Sequence, residues 1–446
     1  MQVANEVDQS IGYRKEKAMS NTIQTTTEEI SQDVRSTVQT TCCIVGGGPA
    51  GAVLALLLAR QGIEVTLLES HADFDRNFRG DSLYPTVLEI MSEIGLTEQL
   101  HDLPHTKMMR IPIETAEGEI RLIDMHLLRS PYPYIMMVAQ VRFLDLIIQE
   151  ARRYPNFQLV MSANVRQLIE QDGRVCGVRY RTHDGWHEVQ AALTIGADGR
   201  FSKVRDLAKL ELKSTPVPMD TVWFRLPRQE GDPESSFGRM VNDNMVAMLI
   251  RTDHWQGTVN IQKGSYPQVK AQGLPALRAR IAQIVPEFAE RLELLQDWKQ
   301  LSPLSIESGY VQRWHRPGLL LIGDAAHVMS PALGVGVNFA IQDAVVAANV
   351  LTRPLKAWQQ HTRPVAERFL AEVQRRRSIP TKLMQAIQSS ESGAIDTTLM
   401  KKLFDFTLIR RLITRIAAIG IWRIHVRYRK AVKEAIRVEK PSAVLS

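Results

Sequence analysis

The chain has 446 residues, more than one hydrophobic core usually serves, so the sequence predicts a large domain combined with a smaller one. With 44% hydrophobic and 23% charged residues, it is neither an intrinsically disordered chain nor a membrane protein by composition. The net charge of +7, from 55 Lys and Arg against 48 Asp and Glu, is too slight for this length to indicate nucleic acid, and much of the excess lies between Arg410 and Lys440.

Residues 1–39 are polar and lack the apolar core of a secretory signal, so they read as a disordered extension in which Met19 offers a second start. Thr41–Val45 is an apolar run expected to be a strand. Pro49–Arg60 has the pattern of a helix of small and apolar residues, stopped at Gly62, and Val65–Leu68 that of a second strand, completing a βαβ unit. Cys42, Cys43 and Cys176 show no metal or disulfide spacing and read as buried small hydrophobes, with a cytoplasmic location as the default.

Farther on, helices are predicted over Thr86–Ile94, Val141–Tyr154, Leu274–Ile284 and Val337–Leu351, and a hairpin over Met108–Met125. Strands are expected at 158–169, 175–180, 193–195 and 319–322. Met219–Leu226, Phe237–Ile250 and Gly257–Gln262 alternate as antiparallel strands do, placing Trp223 and Phe224 on opposite faces. From Pro364 the pattern is helical throughout. Leu412–Val426 is apolar but interrupted by Arg415, Arg423 and His425 and too short to span a bilayer; it reads first as a helix packed on its own protein, with a place on a membrane surface as the alternative.

Three loops carry the chemistry. Gly46-Gly47-Gly48-Pro49-Ala50-Gly51 follows a strand and opens a helix, as a diphosphate-binding turn does: Gly46 permits the tight turn, Gly48 lets the backbone approach phosphate, and Gly51 lets helix and strand pack closely. Glu69, 18 positions past Gly51 and at the end of the second strand, is placed to accept hydrogen bonds from an adenosine ribose. Leu319–Ile322 delivers Gly323-Asp324, a carboxylate suited to a polyol hydroxyl. Ten positions on, Gly334-Val335-Gly336-Val337-Asn338 opens a helix whose N–H groups suit a reduced, anionic ring. The third loop, Gly196-Ala197-Asp198-Gly199-Arg200, again sets an acid after a strand. His101 and His105, divided by Pro104, are no helical metal pair; His327 reads as structural; Tyr132 and Tyr134 either approach a substrate or pack a rigid loop.

In this order the loops resemble those of the class A flavoprotein monooxygenases, the para-hydroxybenzoate hydroxylase family, over nearly the whole chain after about Thr40. The resemblance implies an α/β fold: a Rossmann-like FAD-binding domain, an antiparallel-sheet substrate domain and C-terminal helices. FAD would be held by Gly46, Gly48, Pro49, Ala50, Gly51, Glu69, Arg79, Gln140, Asp198, Asp324, Pro331, Gly334, Gly336 and Asn338. It further implies NADPH or NADH as co-substrate, visiting a surface groove, and hydroxylation of an aromatic, polyene or quinone-like small molecule by O2 through a flavin C4a-hydroperoxide. Arg79 and Arg205 are candidate contacts for the nicotinamide cofactor's phosphates, and no catalytic base is named.

The expected division is an extension at 1–39, an FAD-binding domain from 40–107, 137–215 and 302–363, a substrate domain from 108–136 and 216–301, and a helical region at 364–446. Partners expected are a small-molecule substrate, no nucleic acid, and peripheral membrane contact through the C-terminal helices, with the chain a monomer or homodimer. A halogenase on the same fold is disfavoured because no two tryptophans stand two apart, as its W-x-W-x-I-P pattern needs. A flavin-dependent reductase of isoprenoid substrates and a non-catalytic flavin-binding protein stay open as alternatives.

Overall fold

The βαβ unit at the start of the described residues sets the frame for everything that follows. A computed structural model describes residues 34–75, 82–116, 118–242 and 244–390. Strand β1 (Val34–Val45) runs into helix α1 (Pro49–Ala59), whose residues from Ala50 to Ala59 are all buried, and returns as β2 (Val65–Leu68). A helix buried on every side is a core element, which explains why its sequence shows no polar stripe. After β2 come β3 (Ser82–Leu83), α2 (Pro85–Glu93), β4 (His105–Met108), the hairpin β5 (Arg110–Thr115) and β6 (Gly118–Asp124), β7 (Ile135–Val138) and α3 (Gln140–Arg152). Strand β8 (Phe157–Val160) then extends the first sheet, and a meander of β9 (Asn164–Gln171), β10 (Arg174–Arg181) and β11 (Trp186–Gly196) leads back to the side of β1.

The next segment builds a second sheet from β12 (Met219–Pro227), β13 (Phe237–Val241), β14 (Asn244–Ile250) and β15 (His254–Gln262), backed by helix α4 (Leu274–Ile284) and edged by β16 (Ser302–Leu304). The chain re-enters the first sheet at β17 (Leu319–Leu321) and ends its described course in two long helices, α5 (Gly336–His361) and α6 (Glu367–Ser390). The first sheet is eight-stranded, with β17, β11, β1, β2 and β8 parallel in that spatial order; the second is seven-stranded, in the order β16-β12-β15-β14-β13-β5-β6. Each has its own core. Cys42–Val45, α1 and the apolar face of α5 pack together in the first, while Val222, Phe224, Val246, Met248, Val259 and α4 do so in the second.

Register places the site. Leu68, Val45, Gly196 and Leu321 are consecutive partners across β2, β1, β11 and β17, so four parallel strands end level with one another. The residues that follow them are Glu69, Gly46, Ala197-Asp198 and Ile322-Gly323-Asp324. All three loops therefore leave the same edge of one sheet, where ligands bind in open α/β folds.

Several boundaries differ from the sequence expectation. Val34–Gln39, counted in the disordered extension, is strand, because it pairs with Trp186–Gln190 of a β11 much longer than 193–195. Its polar residues Arg35, Ser36, Thr37 and Gln39 are exposed, so they carry no apolar signal. Ser302–Leu304, expected in the FAD-binding segment, pairs with Thr221–Trp223 and so belongs to the second sheet. Helix α6 is not a separate region: Arg377, only 2% exposed, penetrates the first domain. Residues 391–446, including the run considered for membrane-surface contact, lie outside the described residues. Among the described residues one helix, Ala332–His361, is long and apolar enough to cross a bilayer, but 78% of its apolar window is buried within the protein, as in a core helix.

Candidate cofactor and substrate site

Backbone shape decides the first loop. Gly46 has φ +104°, and a Cβ there would stand 2.4 Å from the Ala197 carbonyl oxygen. A Cβ on Gly51 would be 1.9 Å from the Gly46 oxygen, so α1 approaches the turn closer than any side chain allows. A Cβ on Gly48, by contrast, would meet nothing within 4 Å: this glycine faces open space, and half-buried Pro49 and buried Ala50 follow it as the first turn of α1. Glu69, 6% exposed, closes the loop from below. One carboxylate oxygen accepts the Gly47 N–H at 2.8 Å and the other the His71 N–H at 2.9 Å, with His71 Nδ1 at 2.7 Å. Ser70 Oγ donates to the second oxygen as well, at 3.3 Å, so Glu69 braces the loop through both of its oxygens.

Asp198 is more a local structural residue than its motif suggests. Its carboxylate accepts from Ser202 Oγ at 2.5 Å and Val204 N at 2.9 Å, capping the short helix Lys203–Leu207. Burial pushes its carboxyl group up from its ordinary value. Arg205 is turned inward: buried, it donates to the carbonyls of Ala325 (3.3 Å) and Arg200 (2.9 Å), which ties the second loop to the third and removes it as a contact for a visiting phosphate. Arg79 lies outside the described residues. Gln140, the first residue of α3, and Asp324, on a 3-10 turn after Gly323 (φ +60°), both line the cavity described next.

The three loops form one side of a single cavity of about 1420 Å³. Single small-molecule sites usually measure ~300–1,000 Å³, so this space is large enough for a cofactor and a second molecule together. The Pro331–Gly336 loop forms its middle, and Asn338 fixes that loop: Oδ1 accepts from Tyr84 N at 2.8 Å, and Nδ2 donates to Ser82 O at 2.8 Å. The opposite side is the second sheet. Alternate residues point into the cavity: Thr221 and Trp223 from β12, Gln256, Thr258 and Asn260 from β15, Met245, Ala247 and Leu249 from β14. Trp223 therefore faces the cavity, and Phe224 lies in the core beneath it. Arg251, 8% exposed, stands at one end of this wall with Nε 3.0 Å from Gln256 Oε1. Tyr132 and Tyr134 pack instead with His101, their ring centroids 6.0 and 6.4 Å from its own, and His101 Nε2 lies 2.7 Å from the Tyr134 hydroxyl.

Sequence reading missed a buried cluster beneath the Gly323-Asp324 turn. Asp343, fully buried in α5, accepts from Gly323 N at 2.9 Å and Arg377 Nε at 2.6 Å, with His327 Nε2 at 2.6 Å. Burial alone would raise its carboxyl group, but the facing His327 and Arg377 outweigh it and hold the carboxyl down at about 2. The one available signal was Gln342-Asp343, two polar residues within the apolar run Phe339–Val346.

The arrangement fits FAD. An open glycine face at a helix N-terminus suits the diphosphate, a buried carboxylate beside it suits the adenosine ribose, a second carboxylate lies farther along the edge, and the last glycine loop suits the ring. The comparisons agree. A model of the FAD binding domain family matches residues 39–385. The 6-methylpretetramide 4-monooxygenase of Streptomyces rimosus is 32% identical over 361 residues, 80% of this chain and 85% of its own length. The 3-demethoxyubiquinol 3-hydroxylase of Escherichia coli K12 is 25% identical over 365 residues, 78% of this chain and 88% of its own. Among solved structures, p-nitrophenol 4-monooxygenase from Pseudomonas putida DLL-E4 matches with a TM-score of 0.70 at 20% identity, covering 86% of this chain and 99% of that one. PqsL of P. aeruginosa in complex with 2-aminobenzoylacetate gives 0.68 at 20%, covering 84% and 99%. At such identities the two structures show the shared fold. The family model and the S. rimosus relative go further: this chain belongs to the class A flavoprotein monooxygenases and is an FAD-dependent monooxygenase.

Proposed function

We propose that the protein hydroxylates a flat, multi-ring aromatic small molecule bearing an ionisable oxygen, using NADH or NADPH and O2. The observation that carries this reading is the character of the substrate wall. Its central row, read across the register, is Trp223, Thr258, Ala247, Gly238 and Ile113, small in the middle and bulky at the ends. Met219, Met240 and Met245 flank the row, and adaptable thioethers suit a broad aromatic face. At one end the Arg251–Gln256 pair offers a cation and an amide to an ionised hydroxyl or enol. Relatives named for 6-methylpretetramide and for 12-dehydrotetracycline support a large ring system.

Bound FAD would supply both the two-electron reduction and the activation of O2: one oxygen atom enters the ring, the other leaves as water, and the nicotinamide is oxidised. Gly46, Gly48, Pro49, Ala50, Gly51 and Glu69 would hold its adenosine diphosphate, Gln140 and Asp324 the chain between diphosphate and ring, and Pro331, Gly334, Gly336 and Asn338 the loop beneath the ring. Asp198 supports the neighbouring wall by capping its helix. Arg166, Arg200 and Lys203 line the adenosine side of the cavity, where cations suit the phosphates of a visiting nicotinamide dinucleotide. The protein's own work is to orient the ring and keep water from it.

The test is reaction of the FAD-loaded protein with NAD(P)H and isotopically labelled O2 over a panel of hydroxylated mono-, bi- and tetracyclic aromatics. Product carrying one labelled oxygen atom, favoured for the larger rings, is expected. Flavin reduction followed only by hydrogen peroxide release across the whole panel would overturn the reading.

A further inference from the structure

The flavin-facing loop is gripped by helix α6, whose Gln388 also borders the cavity. Leu333 and Gly334 both adopt φ +62°, a left-handed pair in which the leucine is strained and persists only if its surroundings hold it. They do so through the loop's carbonyl groups. Gln388 Nε2 donates to Ser330 O at 2.9 Å and Ala332 O at 2.8 Å. The Tyr84 hydroxyl donates to Leu333 O at 2.5 Å, Ser82 Oγ to Gly334 O at 2.9 Å, and Gly334 N to Pro331 O at 3.0 Å. Every carbonyl from Ser330 to Gly334 is thus engaged within the protein, so what the loop has left to present to the cavity is its N–H groups and the N-terminus of α5.

Gln388 is one of three grips from α6. Gln385 Nε2 donates to Val328 O at 2.9 Å, and Arg377 holds Asp343, which in turn holds Gly323 N. Arg377, Thr381, Gln385 and Gln388 follow the spacing of a single helix face, and the four points they secure directly or through Asp343 run from Gly323 to Ala332. We propose that α6 is a clamp on the flavin loop, with Gln388 and Arg377 as positioning residues that keep the loop's N–H groups, rather than its carbonyls, toward the ring. N–H dipoles aimed at a ring that becomes anionic on reduction favour the reduced form, so the clamp sets how readily the bound flavin accepts electrons.

The decisive variant is Gln388→Leu, which keeps the side chain's bulk and removes both donated hydrogen bonds. Three readouts are taken: amide hydrogen exchange over residues 330–336 in the FAD-free protein, FAD affinity, and the midpoint potential of the FAD-loaded protein. Faster exchange at Leu333, Val335 and Gly336 is expected, with FAD affinity within about threefold of the parent because the diphosphate end is untouched. The oxidised form should gain about tenfold over the reduced, a potential about 30 mV more negative for a two-electron couple. Arg377→Lys, which keeps a cation on Asp343, should give a smaller shift in the same direction. If Gln388→Leu does not fold, Gln388→Glu, which sets an acceptor against the same two carbonyls, is read in the same way. Unchanged exchange and unchanged potential in a folded Gln388 variant would overturn the clamp. A parent protein that takes up no FAD would overturn the proposed function instead, and the exchange measurement would still decide the clamp.

Discussion

The two sides of the central cavity are built from different materials. The cofactor side is backbone: Gly46 and Gly51 stand where a Cβ would overlap a carbonyl oxygen, and Gly48 leaves the chain bare to its ligand. The substrate side is side chain, on strands whose pairing does not depend on what points inward. At Gly238 the nearest obstacle to a Cβ is the flexible end of Met245, at 3.0 Å. On the proposed reading, the first surface could hardly change without losing its ligand, whereas the second could change its ligand without losing its fold. Relatives that share this fold and are named for different substrates are consistent with that division.

The largest effect on ligand affinity should therefore come from a single methyl group on the rigid side. Gly51→Ala places a carbon 1.9 Å from the Gly46 oxygen, so α1 or the glycine loop must shift. FAD affinity is expected to fall by more than ~100-fold, equivalent to about 2.7 kcal/mol, as read by fluorescence titration of the released flavin. Retention within threefold would show that the close packing of α1 on the loop is not what forms the diphosphate site.

The adaptable side is tested first through its support, by stability rather than ligand affinity. Asp232 binds Arg291 through both oxygens at 2.7 Å and accepts from Trp255 Nε1 at 2.7 Å and Gln229 N at 2.8 Å. Burial opposes its ionisation, but the Arg291 guanidinium and these donors prevail and hold its carboxyl at about 2, as His327 and Arg377 do for Asp343 in the other domain. Both groups are depressed below their unfolded value near 3.8, so their contribution is complete above about pH 4 and is lost as the pH falls towards 2. Asp232→Ala leaves a buried guanidinium unpaired and should cost ~3–5 kcal/mol in denaturant unfolding, with a flatter acid limb. An unaltered acid limb would mean that the pair is not what acid breaks.

The same contrast explains what the sequence discloses. Loops made of backbone need glycine at fixed spacing, so Gly46, Gly48, Gly51, Gly334 and Gly336 announce themselves. Alternation reveals the substrate strands and sets Trp223 opposite Phe224, but the face that meets the cavity is decided by α4 packing on the other one. Strand ends go astray where pairing is long-range and polar, as at Val34–Gln39. Arg377 and Gln388 give no sign at all: each matters because it meets a carboxylate or carbonyl distant in sequence, and in isolation each is an ordinary residue of a polar helix. Asp198 shows the converse, a motif acid whose contacts are mostly with its own loop.

On the adaptable side, Arg251→Gln should leave FAD affinity unchanged and weaken binding of ionised phenols or enols by about 10–100-fold, the range of one charge-assisted hydrogen bond. Neutral analogues matched in size should change by less than threefold. Perturbation of the flavin absorbance on titration reads both. Equal losses for ionised and neutral ligands would make Arg251 a packing residue of the wall.

The smallest effect should appear at the centre of the row, and it tests shape alone. Ala247 lies between Thr258 and Gly238, with Trp223 and Ile113 beyond them, so the low middle of the wall is three strands wide. Ala247→Leu raises that middle by three carbons without altering a charge, a hydrogen bond or the strand pairing. A multi-ring ligand lying across the row must then tilt or retreat, whereas a single ring can sit to one side. KM for tetracyclic substrates should rise about 3- to 10-fold while monocyclic phenols shift by less than twofold, and the order of preference in the panel should narrow or invert. Because FAD affinity and the Arg251 contact are left alone, a uniform loss over all ring sizes would indicate a distorted sheet, and no loss at all would mean that the ligand does not lie on this row.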